Sequence, residues 1–130
     1  MRKLSFHSSL FTLVWFIFAA SIYCQDLKVV HLDCSRDLLA KPAQIVVSAG
    51  DEIQFIADIG EFAIFIDDAA LFLDVDTPAI QIHLDSKKNP TSDKYVVRSI
   101  DSDLIITYTI YCITDDTWPD APPKIIIRAD

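Results

Sequence analysis

Apolar and polar residues alternate over several short stretches of this chain. In the stretch EIQFIAD (52–58), Ile53, Phe55 and Ala57 alternate with a set that includes the polar residues Glu52, Gln54 and Asp58, and IQIHLD (80–85) repeats the pattern. A period of two is typical of a β-strand with one buried face. Residues 69–73 fit either a strand or a helical turn. Similar patterns predict further strands at residues 27–32, 44–48, 61–66, 95–98, 104–113 and 124–128.

Short strands joined by polar turns at regular spacing predict an all-β fold, an antiparallel Greek-key β-sandwich of seven to nine strands. The turns are rich in aspartate: 17 residues are Asp and only Gly50 and Gly60 are glycine. Aspartate suits turns because its side chain bonds the backbone two residues on. Calcium binding by these aspartates is the alternative, but the chain has no EF-hand loop.

The first residues have the features of a secretory signal peptide. Arg2 and Lys3 precede an uncharged apolar run at residues 10–23. This run is short for a membrane span, which needs about 20 residues, although an uncleaved anchor is the alternative. We therefore predict a signal peptide at residues 1–24 and one domain at residues 25–130, exported to the periplasm or outside the cell. Cleavage near Ala19 to Ser21 and cleavage after Cys24 are both compatible with the sequence.

Charge and cysteine content fit an exported protein. Residues 25–130 hold nine basic and 19 acidic residues, a formal net charge of −10. Such a surface repels phosphate backbones, so we expect no nucleic-acid partner. Only Cys34 and Cys112 remain after residue 24, and two cysteines in an oxidising compartment most often pair. The alternation places Cys112 on the core side of its strand.

Three segments resemble the cupredoxin fold, the β-sandwich of the small blue-copper proteins. IVVSAGDEIQF (45–55) resembles the strand, Gly-Asp turn and strand near the start of such domains. YTIYC (108–112) resembles the strand that carries their copper-binding cysteine, and KIII (124–127) lies where their last strand lies. The resemblance covers most of residues 25–130 and implies the same fold.

The resemblance does not bring the copper ligands with it. A blue-copper site needs a thiolate and two imidazoles, usually with a methionine. Only Cys112 matches this set, because ITDDTWPDAPP follows it and Met1 is the sole methionine. We therefore predict no cofactor and no metal, with a Cys34–Cys112 disulfide, or two packed thiols, where the family holds copper. The alternative is a redox or metal-handling protein in which Cys34, Cys112 and His31 bind copper or zinc.

The loop TDDTWPDAPP is the candidate recognition surface. Trp118 stands in a proline-stiffened loop beside Asp115 and Asp116, where a large aromatic offers contact area to a partner. The other interpretation, which the sequence slightly favours, makes Trp118 a lid that folds back over the end of the core near Cys112. No nucleophile motif or phosphate loop is present, so an enzyme is not favoured and no catalytic residue is assigned. The sequence thus predicts an exported, non-catalytic binding or structural module for an unknown protein or small ligand, with its oligomeric state open.

Overall fold

A computed structural model describes residues 25–130, and the predicted signal peptide at residues 1–24 lies outside the described residues. The predicted all-β fold is confirmed. Within residues 25–130, no helix is long and apolar enough to cross a membrane. The elements are β1 (Leu27–Asp33), β2 (Ala40–Lys41), β3 (Gln44–Ser48), β4 (Glu52–Ile59), β5 (Glu61–Ile66), α1 (Ala69–Phe72), β6 (Ile80–Asp85), β7 (Tyr95–Val96), β8 (Leu104–Thr107), β9 (Thr109–Cys112) and β10 (Lys124–Arg128).

The strands form three sheets, in the orders β2-β1-β4-β7, β3-β10-β8 and β6-β5-β9. Most neighbours run antiparallel, as expected for the sandwich. Two pairs differ from the prediction, because β1 runs parallel to β4 and β10 runs parallel to β3. The parallel pairs join strands that are not connected by a hairpin, a relationship that the residue pattern does not reveal.

The stretch at 104–113 was predicted as one strand but forms two. β8 pairs with β10, whereas β9 pairs with β5 in a different sheet. Tyr108 lies between them, and its backbone N–H donates to the carbonyl of Pro123. The two-residue strand β2 was not predicted, and residues 69–73 take the helical alternative as α1.

All three sheets contribute to one hydrophobic core. Phe55 of β4 meets Tyr108 edge to face, with ring centroids 5.5 Å apart, so the first sheet packs against the β8–β9 junction. Ile53, Phe55 and Ala57, which alternation places on the inward face of β4, are all buried in this core. The largest fully buried side chains are Phe55, Phe62, Phe72, Leu32, Leu39, Ile53, Ile64, Ile66, Leu73, Leu84, Ile110 and Ile125.

Four chain segments meet at one end of the sandwich. The β1–β2 loop contacts the β9–β10 loop where the Asp120 N–H donates to the Asp37 carbonyl, at 3.0 Å. The turn after β6 joins the β4–β5 turn where the Ser86 N–H donates to the Gly60 carbonyl, also at 3.0 Å. This end, here called the cysteine end, carries Cys34 and Cys112.

Candidate functional site at the cysteine end

The two cysteines reach this end on different sheets. Cys34 follows β1, and Cys112 is the last residue of β9. Their sulfur atoms lie 2.06 Å apart, at disulfide distance, and their Cα atoms 5.8 Å apart. Cys112 is fully buried, as its position on the inward face of β9 predicted, whereas Cys34 is half-buried. The pair connects the first sheet to the third across 78 residues of sequence.

Gly60 closes the β4–β5 turn directly over the cysteine pair. Its φ of +104° is a conformation that residues with a side chain rarely adopt. A Cβ atom at this position would lie 2.3 Å from the Cys34 Sγ atom and 3.4 Å from the Thr114 hydroxyl oxygen. The same hydroxyl accepts a hydrogen bond from the Glu61 N–H at 2.9 Å. One of the two glycines of the chain therefore makes room for the sulfur atoms.

The segment after β9 turns back on the strand. The backbone N–H of Cys112 donates to the carbonyl of Thr117 at 2.9 Å, and the Thr117 N–H donates back at 3.2 Å. Inside this turn the Asp115 N–H points at the Cys112 Sγ atom at 3.4 Å. Asp116 takes the left-handed conformation that the turn requires, with φ +52°. The turn presents the Asp115 and Asp116 side chains to solvent.

Trp118 lies on the outer face of β9. Its ring packs against that of Tyr111, with centroids 4.7 Å apart and planes tilted by 41°. The Tyr111 hydroxyl donates a hydrogen bond to the Asp116 carboxylate, and this bond is the main reason why the pKa of Tyr111 is raised. Trp118 itself stays 60% exposed. The lid alternative is therefore wrong, because the indole covers Tyr111 rather than the end of the core.

The structure gathers a different set of potential metal ligands from the one predicted. Within residues 25–130, Cys34 and Cys112 share a group with Asp115, whose ligand atoms all lie within 4.8 Å of one another. His31 is not in this group, because its Nδ1 contacts the Asp58 carboxylate at 3.0 Å across the parallel β1–β4 pair. The alternative prediction, a copper or zinc site formed by Cys34, Cys112 and His31, is therefore wrong in its third ligand.

A blue-copper centre does not fit this arrangement. Its trigonal plane needs two imidazoles beside the thiolate. Among the described residues, His83 contacts Glu61 through Nε2 at 3.1 Å and His31 contacts Asp58, so neither imidazole joins the group at Cys112. The group at Cys112 instead offers two sulfur atoms, from Cys34 and Cys112, and one carboxylate oxygen, from Asp115.

Sequence reasoning found Cys34, Cys112 and Trp118 but missed the residues that hold them. Tyr111 was given no role, and Gly60 was counted only as a scarce glycine. Asp115 was named for recognition rather than as a possible ligand. The scarcity of glycine does not distinguish the two positions, because a Cβ atom at Gly60 would clash with the Cys34 Sγ atom, whereas one at Gly50 would come no closer than 3.6 Å to Gln25.

Comparisons with known proteins add little to this site. No protein-family model matches the chain, and no curated protein matches it either. Among solved structures, the chain is similar to a Pro-to-Gly variant of amicyanin in its reduced Cu(I) form at pH 4. The two sequences are 13% identical, the match covers 84% of this chain and 89% of that one, and the TM-score is 0.47. A reduced Trp-to-Tyr variant of amicyanin gives 15% identity, the same coverages and a TM-score of 0.47. At these values the likeness assigns no role to any residue of this chain.

Proposed function

We propose that this chain is an exported, non-catalytic binding module that recognises a protein partner through the Trp118 surface. This surface comprises Tyr111, Asp115, Asp116 and Trp118. The observation that carries the proposal is the 60% exposure of a tryptophan that is nevertheless packed on Tyr111. Exposed aromatic side chains held in one position are common anchors of protein interfaces.

The Trp118 surface is prepared for binding by the contacts beneath it. The paired backbone bonds between Cys112 and Thr117 close the turn, and the Tyr111 hydroxyl holds Asp116. A Cys34–Cys112 disulfide would fix the base of the turn to the first sheet. A surface already ordered in the free protein loses little conformational entropy on binding, which favours affinity.

The charge of the surface favours a basic partner. Asp116 accepts from the Tyr111 hydroxyl, Asp115 precedes it in the same exposed turn, and residues 25–130 carry a formal net charge of −10. An Arg or Lys side chain can stack on an indole while it pairs with a carboxylate. Long-range attraction between opposite charges also speeds the encounter of the two proteins.

The proposal is tested with three labelled peptides of equal length, one rich in Lys and Arg, one neutral and one acidic. Fluorescence anisotropy should give saturable binding of the basic peptide, and Trp118→Ala should weaken it about thirtyfold, the effect of losing a hot-spot residue worth ~2 kcal/mol. Ile105→Ala is the matched control, because Ile105 is 67% exposed on β8, in another sheet. Equal binding by Trp118→Ala and Ile105→Ala would contradict the proposal.

A second candidate function is metal handling by the reduced cysteine pair. It is supported by the Cys34, Cys112 and Asp115 group, whose ligand atoms lie within 4.8 Å of one another. Thiolates suit Cu(I) and zinc, and a carboxylate could complete a three-ligand zinc site. Oxidised sulfurs are poor ligands, so such a site would exist only when both thiols are free.

Metal titration of the protein as isolated, without prior reduction, separates the two functions. The binding module predicts that the untreated protein binds the basic peptide and takes up no Cu(I) or zinc. Metal handling predicts stoichiometric uptake by the protein as isolated, with a loss of affinity in Asp115→Asn. Asp116→Asn is the control, because the neighbouring carboxylate is outside the ligand group.

A further inference from the structure

A groove of about 430 Å³ lies along the first sheet, lined by residues of β1, β2 and β4 and of the loops on either side of β2. It is lined by His31, Asp33, Arg36, Lys41, Pro42 and Asp58. A second depression of about 550 Å³ adjoins it, and Arg36 and Lys41 line both. The antiparallel register of β1 and β2 sets Lys41 directly opposite His31. Three basic side chains, those of His31, Arg36 and Lys41, thus lie along one groove of a strongly acidic chain.

The acidic groups of the groove are already engaged within the protein. The Asp33 Oδ1 atom accepts from the Ser35 hydroxyl at 2.6 Å and from the Ser35 N–H at 2.8 Å, and its Oδ2 atom lies 3.5 Å from the Arg36 Nε atom. The bond from the Ser35 side chain is the main cause of the lowered pKa of Asp33. Both Asp58 oxygens contact the His31 Nδ1 atom, at 3.0 and 3.2 Å.

The cationic groups keep donors to spare. Arg36 uses only Nε toward Asp33, and within residues 25–130 neither of its terminal nitrogens has a hydrogen-bond partner. Lys41 Nζ likewise forms no ion pair with any described residue. Because the carboxylates are occupied and the guanidinium and ammonium groups are not, the groove can still donate hydrogen bonds to a ligand.

We propose that this groove binds a small molecule through an oxyanion, a carboxylate or a phosphate, held between Arg36 and Lys41. The guanidinium fork matches the two oxygens of such a group, and the lysine adds a point charge. The volume is that of a small-molecule site, and Pro42 supplies an apolar wall. The inference is independent of the Trp118 surface, which lies on β9 and the loop that follows it.

Titration of the ¹⁵N-labelled mature protein with succinate and with inorganic phosphate, at constant ionic strength in sodium chloride, tests the groove. The expected result is a set of saturable amide shifts at His31, Arg36 and Lys41. The Arg36→Gln/Lys41→Gln double variant should bind at least tenfold more weakly. Lys87→Gln/Lys88→Gln is the matched control, because it removes the same charge from an exposed turn elsewhere and should leave the affinity unchanged.

The titration either supports or contradicts an anion site at Arg36 and Lys41. Saturation by either anion that depends on Arg36 and Lys41 supports the proposal, and the tighter of the two identifies the head group. Shifts that grow linearly without saturation, shifts centred on another surface, or equal weakening in both double variants would overturn it. The amide spectrum outside the groove shows in the same experiment that each variant remains folded.

Discussion

Gly60 lies so close to Cys34 that a Cβ atom at position 60 would stand 2.3 Å from the Cys34 Sγ atom. Real Cβ atoms do not approach heavy atoms so closely, and the Sγ atom here is not free to move aside if it is bonded to Cys112. The β4–β5 turn and the cysteine pair therefore form one packing unit. Any residue larger than glycine must displace either the turn or the sulfur.

The first prediction concerns Gly60→Ala. Both its positive φ and the contact with Cys34 oppose a side chain, so we expect the free energy of unfolding to fall by about 3 kcal/mol. Gly50→Ala is the matched control. Gly50 has a similar φ of +89°, but the nearest atom to an added Cβ is on Gln25 at 3.6 Å, so about 1 kcal/mol is expected. Urea denaturation of both variants measures the difference, and equal losses would contradict the packing argument.

The second prediction concerns the cysteine pair. A disulfide that closes a loop across 78 residues stabilises the fold by about 4 kcal/mol in the chain-entropy description. Cys34→Ala/Cys112→Ala should lose about that amount relative to the unreduced parent in urea denaturation. Treatment of the parent with a reductant should produce a similar loss. A double variant as stable as the unreduced parent would show that the two sulfurs are not bonded in solution.

The third prediction concerns Tyr108, whose hydroxyl is buried with no hydrogen-bond partner among residues 25–130. A buried hydroxyl without a partner costs about 1–3 kcal/mol, so Tyr108→Phe should leave stability unchanged or raise it by about 1 kcal/mol. Tyr111→Phe is the control, because its hydroxyl is exposed and bonded to Asp116. If Tyr108→Phe lowered the free energy of unfolding by more than about 1 kcal/mol, the Tyr108 hydroxyl would have a hydrogen-bond partner after all.

Tyr108 also predicts how stability changes at alkaline pH. Burial raises the pKa of Tyr108 well above its ordinary value of 10.0. Above pH 10 the unfolded chain therefore releases a proton that the folded chain keeps, and stability falls by up to ~1.4 kcal/mol per pH unit until the folded-state pKa is passed. Below pH 10 this contribution is fully present. Urea midpoints between pH 8 and pH 11 should fall less steeply in Tyr108→Phe, and parallel curves would contradict the assignment.

Much of the fold could be predicted where a strand is an alternating stretch or a short apolar run bounded by polar residues and lies within a single sheet. The bounds of β3, β5, β6 and β10 match the predicted ranges. Alternation reports which way a side chain faces and not which strand lies alongside, so Ile106, Tyr108 and Ile110 keep one period through the change of sheet between β8 and β9. The parallel β1–β4 and β3–β10 pairs escaped prediction for the same reason. β2 is too short to carry a period at all.

The candidate site was only partly predictable because its contacts depend on pairing register. The inward face of Cys112 follows from alternation on its own strand, and the core there confirms it. The contact of His31 with Asp58 depends on the parallel register of β1 and β4, and it removes His31 from the cysteines. Asp115 reaches the sulfurs only because Thr117 turns back to Cys112. Neither relationship can be read from spacing.

The fourth prediction concerns Tyr111 as the support of Trp118. Tyr111→Ala removes the ring beneath the indole, so Trp118 should become more exposed and the affinity for the basic peptide should fall about tenfold. Trp118 is the only tryptophan of residues 25–130, so its emission reports on this surface alone. Tyr111→Phe keeps the ring and removes only the bond to Asp116, so it should leave the exposure of Trp118 unchanged and lose less affinity than Tyr111→Ala. Unchanged emission and affinity in Tyr111→Ala would contradict this role.

The central claim is that the cysteine pair is a structural bridge beneath a binding surface and not a metal site. Native mass spectrometry of the unreduced mature protein, before and after addition of Cu(I) and zinc, tests it most directly. The account predicts a chain lighter by two hydrogen atoms than the reduced protein, with no metal bound. Free thiols with one metal ion bound per chain, and loss of that ion in Asp115→Asn, would contradict it and favour metal handling.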